Sequence, residues 1–73
     1  MKEIFVKTKQ DLWQWLMANH QLSESVWLVH YKKTSGKGDV AYSDVVDICL
    51  CFGWIDSVKG KVDDERTKFR ISP

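Results

Sequence analysis

The chain has 73 residues, room for at most one small domain. A hydrophobic share of 44%, with four Trp, three Phe and two Tyr, supplies one compact core, although a chain this short buries only about 60% of its unfolded surface. Eleven Lys+Arg against ten Asp+Glu leave a formal charge of +1, which excludes a disordered polyelectrolyte and gives no global pull toward nucleic acid or an acidic membrane.

Glu3–Val6 predicts a short strand or an extended arm. Thr8 stands in an N-cap place with Asp11 three positions on, near the positive end of the helix dipole. A helix is expected from there to about Asn19, which would take the left-handed C-cap. Leu12, Trp15 and Leu16 form its apolar stripe, and Trp13 lies on the stripe's edge, where exposure would mark a partner surface. Val26–Lys33 is the strongest strand signal; almost continuously apolar before its two lysines, it reads as a central strand covered on both faces.

Residues 34–39, with Gly36 and Gly38, form a loop by composition. Ser43 can cap a second helix that ends near Phe52, with Gly53 as its C′ residue. From Asp44 to Phe52 only Asp44 and Asp47 are polar, so burial is expected around most of that helix. Trp54–Lys61 and Arg66–Ile71 predict a terminal hairpin turning through Val62–Glu65, with Gly60 marking a bulge. The order β-α-β-α-β-β is an α+β fold: two helices on a small mixed or antiparallel sheet, residues 1–73 as a single domain.

No apolar run approaches the ~18 residues of a membrane span, and Met1-Lys2-Glu3 leads into no signal-peptide core, so a soluble cytoplasmic chain is expected. Cys49 and Cys51 agree with a reducing compartment, since on a helix they point about 200° apart and cannot pair. His20 and His30 sit on different elements and have no metal-ligand spacing with either cysteine; no metal is expected. Gly36-Lys37-Gly38 lacks the strand, loop and helix of a phosphate-binding loop, and no cofactor is expected.

The charged residues offer more. Lys59 and Lys61 lie on one arm of the hairpin, Lys68 and Arg70 on the other. If the turn aligned them, four positive charges would share a face, with Lys32, Lys33 and Lys37 adjacent, and could meet phosphate or nucleic acid. The plainer reading is a solvated face on which lysines discourage edge pairing. No aromatic is interleaved with them, as a single-strand stacking surface would require. Asp56 follows Gly53-Trp54-Ile55 at a helix-to-strand junction, where a carboxylate needs a partner; Asp63 and Asp64 read as turn residues. Trp15, Trp27 and Trp54 fit core positions.

Trp27-Leu28, Lys32-Lys33, Tyr42, the run Leu50-Cys51-Phe52-Gly53-Trp54-Ile55-Asp56-Ser57 and Asp64-Glu65-Arg66 together resemble the YdeI/OmpD-associated family of small bacterial proteins. The likeness spans Trp13 to Pro73, and Cys-Phe-Gly-Trp-Ile-Asp is its specific part. That family continues through Arg-Phe-Thr-Pro-Arg into a Ser-x-Trp-Ser motif and a helical half, whereas Arg70-Ile71-Ser72-Pro73 is where this sequence stops. The resemblance therefore implies a naturally shortened relative or a fragment, helped in stability by a second copy or by the lost half. The family's names imply association with an outer-membrane porin and protection against bacteriocins or cationic peptides. No catalytic residue comes with the likeness.

The expected function is a non-enzymatic binding or stress-protection module, with a protein partner or a homodimer, tested first at Lys32, Lys33, Trp54, Asp56 and Arg70. An alternative is a nucleic-acid or anionic-ligand binder using Lys59, Lys61, Lys68 and Arg70. A third is an enzyme using Asp56 in a cleft beside a cation or a second titrating group.

Overall fold

The computed structural model describes residues 1–73, and its elements follow the expected order: β1 (Glu3–Phe5), α1 (Lys9–Asn19), β2 (Val26–Tyr31), α2 (Tyr42–Cys51), β3 (Ile55–Lys61) and β4 (Arg66–Ser72). A 3-10 turn at Lys33–Ser35 shortens β2 relative to the sequence signal. The fold is α+β, two helices with a four-stranded mixed sheet.

Local chemistry starts each helix. At α1 the Thr8 hydroxyl accepts from the Asp11 N–H at 3.1 Å, and the Asp11 carboxylate accepts from the Thr8 N–H at 3.1 Å. This reciprocal pair satisfies donors that the first turn leaves free. The helix ends without a left-handed residue, because the His20 N–H closes the last turn on the Leu16 carbonyl and the Asn19 amide donates to the Trp15 carbonyl. Asn19 is therefore not the left-handed cap expected of it. Ser43 does not cap α2 either; Ala41 is the N-cap residue, and the Asp44 carboxylate accepts from its N–H at 2.9 Å. Gly53 follows the C-cap Phe52 at φ +73°, the left-handed region that glycine enters without a Cβ clash.

The strand order is β1-β2-β4-β3, with β1 parallel to β2 and the other pairs antiparallel. Register sorts the side chains. Ile4, Leu28 and Phe69 stand in line on one face, as do Val26 and Ile71. Leu12 and Leu16 of α1, Val45 and Cys49 of α2, and Trp54 join them in one core of 12 residues. Both helices thus cover this one face.

The opposite face carries Phe5, Trp27, Val29, Tyr31, Lys68 and Arg70 and has no helix on it. Two expectations change accordingly. β2 is central in order but is covered by helices on one side only, and Trp27 is half-buried on the open side instead of in the core. In α2, Val45 and Cys49 are buried while Leu50 is 59% exposed, so this helix packs along a stripe and not around its circumference.

The irregularity in β3 lies at Ser57, not at Gly60. Register shifts between Asp56, opposite Ile71, and Val58, opposite Arg70. One extra residue reverses the alternation. Asp56 and Lys59 both end up on the helix side, while Val58 between them faces the open side.

Candidate functional site

A cleft of about 320 Å³ opens where the ends of β2 and β3 meet the start of α2. His30 and Phe69 lie in it on the sheet side, and Val40, Ala41 and Tyr42 come from the approach to α2. Lys32, Lys33 and Lys59 bring three ammonium groups, and Thr34 adds a hydroxyl. No carboxylate lines this cleft, and none of the three lysines makes an ion pair. A smaller groove of about 220 Å³ continues from it through Tyr42, Lys59 and Phe69 to Asp56, Ser57 and Val58. The Tyr42 hydroxyl donates to the Asp56 carboxylate at 2.8 Å, which raises the phenol's pKa above its usual value. The combined surface is cationic at one end and carries a tyrosine-bound carboxylate at the other.

His30 is the unusual member. It is buried, 4% exposed, with its ring stacked on Phe69 and Thr67 as its partner across the strands. Nδ1 lies 3.0 Å from the Tyr31 carbonyl, so Nδ1 carries the hydrogen and donates it. Nε2 is buried and has no hydrogen-bond partner. Burial holds the pKa of His30 below its ordinary value, opposed by the Tyr31 and Val40 carbonyls and aided by the charge of Lys59. The ring is therefore neutral near pH 7, and Nε2 offers a lone pair.

The register separates the four basic residues expected on one hairpin face. Lys59 and Lys61 stand opposite Phe69 and Thr67 on the helix side, whereas Lys68 and Arg70 project from the open side. The reason is the register of the turn, which sets Lys61 opposite Thr67 and so puts both β3 lysines in line with Thr67 and Phe69 instead of with Lys68 and Arg70. Lys61 pairs with Asp64 at 3.5 Å in full solvent and does not line the cleft.

On the open face the Lys68 ammonium lies 4.4 Å from the centre of the Trp27 ring, so an aromatic does accompany a lysine there. Trp54 belongs to the core: it is fully buried, its indole N–H donates to the His20 carbonyl at 3.0 Å, and it offers no surface to a ligand. Asp56 is half-buried with Tyr42 beside it. Burial first, and the Asp56 charge second, push the Cys49 thiol up to about 12, which keeps it protonated and inert as a nucleophile. No three His, Cys, Asp or Glu side chains converge to hold a metal ion, and no helix is long and apolar enough to cross a membrane.

Sequence reasoning treated His30 as a lone histidine. Its signal was phase: Val26, Leu28 and His30 alternate on the buried side of β2, so a polar ring was due in the core.

Fold and site together define a small α+β domain with a cationic cleft at the junction of its sheet and its second helix. Residues 4–73 match a family described as a domain of unknown function, DUF8412, and the chain belongs to that family. Neither the curated proteins nor the solved structures contain a match.

Proposed function

We propose that the chain is a non-enzymatic binding module that takes a small anionic ligand in the cleft formed by Lys32, Lys33 and Lys59. The observation that carries this reading is the lining itself: three ammonium groups without ion-pair partners and no carboxylate among them. Like charges held close together repel, and an anion between them relieves that repulsion. Calorimetric titration with inorganic phosphate tests it. Binding should weaken as sodium chloride rises, and Lys59→Glu should weaken it by about tenfold or more, a change of ~1.4 kcal/mol. Affinity indifferent to both salt and charge reversal would contradict the proposal.

The resemblance to the YdeI/OmpD-associated proteins supports placing this module in bacterial stress protection. The free thiols of Cys49 and Cys51 favour a cytoplasmic setting.

A second reading uses the open sheet face. Lys68 over Trp27, with Arg70 beside it and Phe5 and Tyr31 on the same face, favours single-stranded nucleic acid, whose bases stack on aromatics while phosphates meet cations. Binding of an oligothymidine that falls with salt and is lost in Trp27→Ala supports it; absence of such binding removes it. A homodimer or a protein partner is proposed for the same face, where Phe5, Ile55 and Val58 are exposed. Solution mass at two concentrations separates the dimer from the monomer.

A further inference from the structure

We propose that the cleft selects an oxyanion that still carries a hydrogen near neutral pH, inorganic phosphate in place of sulfate, because His30 Nε2 at its buried side accepts a hydrogen bond and has none to give. The inference rests on the anion-binding reading and adds a chemical requirement to it. The ammonium groups of Lys32, Lys33 and Lys59 and the hydroxyl of Thr34, which share this cleft, can all donate. Those groups attract any oxyanion alike.

His30 differs in kind. Its Nδ1 hydrogen is committed to the Tyr31 carbonyl at 3.0 Å, leaving Nε2 as the polar atom the ring has to offer. Stacking on Phe69, with centroids 5.2 Å apart and planes inclined by 17°, fixes the plane of the ring, and the Nδ1 bond to the Tyr31 carbonyl fixes which edge it presents. The depressed basicity that burial confers keeps Nε2 unprotonated near neutral pH. Sulfate brings only bare oxygens to that lone pair, a repulsive meeting. Phosphate near neutral pH retains a P–O–H, and that hydrogen satisfies Nε2 while the remaining oxygens face the lysines. A site that holds such an acceptor rejects an analogue without the matching donor far more strongly than added charge can compensate.

Charge alone predicts the reverse order. Slightly below neutral pH phosphate is mostly a monoanion and sulfate a dianion, so three lysines by themselves would prefer sulfate.

The test measures the affinity of inorganic phosphate and of sulfate for the full chain at matched ionic strength, slightly below neutral pH. The expected result is phosphate tighter than sulfate by about ten- to a hundredfold, the scale of a buried acceptor left without its hydrogen. His30→Phe, which keeps an aromatic ring against Phe69 and all three lysines, should abolish the preference for phosphate and let sulfate, with its larger charge, bind at least as tightly. His30→Gln, whose terminal amide can turn to donate as well as accept, should lose most of the preference too. Equal affinities in the unmodified chain, or a preference undiminished in His30→Phe, would overturn the inference while leaving the anion-binding reading intact. If neither anion binds, the broader reading falls and this one with it. The comparison of the two anions on the unmodified chain decides the matter even if a variant fails to fold.

Discussion

The imidazole of His30 lies nearly parallel to the ring of Phe69, centroids 5.2 Å apart, at the point where the apolar core gives way to the lysine-lined cleft. A neutral histidine at this boundary ties folding to pH. Burial places the folded pKa of His30 below the ordinary 6.5, whereas the unfolded chain takes up its proton as pH falls through that value. The contribution to stability is thus complete above 6.5 and is lost as pH falls toward the lower folded pKa. Lys32, Lys33 and Lys59 line the same cleft, and the charge of Lys59 lowers the His30 pKa further, in the same sense as burial. Urea unfolding between about pH 5 and 7 should show stability falling with acid in this window, and His30→Phe should flatten that slope. Equal slopes in both proteins would count against the placement of His30.

The bond from Tyr42 to Asp56 joins the first residue of α2 to the edge of the bulge in β3. Asp56→Asn removes the charge that holds the phenolic proton, so spectrophotometric titration should show the Tyr42 pKa moving down toward its ordinary 10.0. No movement would mean that the two side chains do not meet in solution.

How far the sequence foretold this structure depends on how local each cause was. The α1 start was readable because Thr8 and Asp11 complete a bonding pattern within four residues. Gly53 was readable because one residue's φ is its own property. β4 was readable because Thr67, Phe69 and Ile71 alternate without interruption. The facing of Lys59 and Lys61 was not, since it depends on which pair closes the hairpin, Lys61 opposite Thr67, and residues Val62–Glu65 do not announce that register. Nor was the coverage of β2: an apolar run looks the same whether a helix or only neighbouring strand side chains lie over it. The cleft combines β2, the segment before α2, β3 and β4, so its lysines gain a shared meaning only after folding.

Leu16 is fully buried in a core shared by both helices and the sheet. Leu16→Ala should lower unfolding stability by about 2–5 kcal/mol through lost burial and the cavity left behind. In a domain this small that is a large part of the total, so thermal unfolding monitored by circular dichroism should show an early, broadened transition. A shift under a degree or two would show that the helix is not seated as described.

Asp63 organises the hairpin turn. Its carboxylate takes the Arg66 guanidinium at 2.7 and 2.8 Å and the N–H groups of Glu65 and Arg66 at 2.9 and 2.7 Å. The Arg66 side chain first, then these backbone donors, lower its pKa to about 2. Stability from this group is therefore present above its ordinary 3.8 and is lost as pH falls through about 2. Asp63→Asn should weaken the dependence of hairpin stability on pH in that acid window, read from amide chemical shifts of Arg66 and Thr67. An unchanged acid limb would assign it to other carboxylates.

The central claim is that the Lys32–Lys33–Lys59 cleft is where an anion binds, and amide chemical-shift mapping during titration with inorganic phosphate tests it most directly. The account predicts saturable shifts concentrated at His30, Lys32, Lys33, Tyr42 and Lys59, abolished when the three lysines are changed together to glutamine. Shifts scattered over the lysines of the whole surface, or equally large in the triple variant, would contradict it.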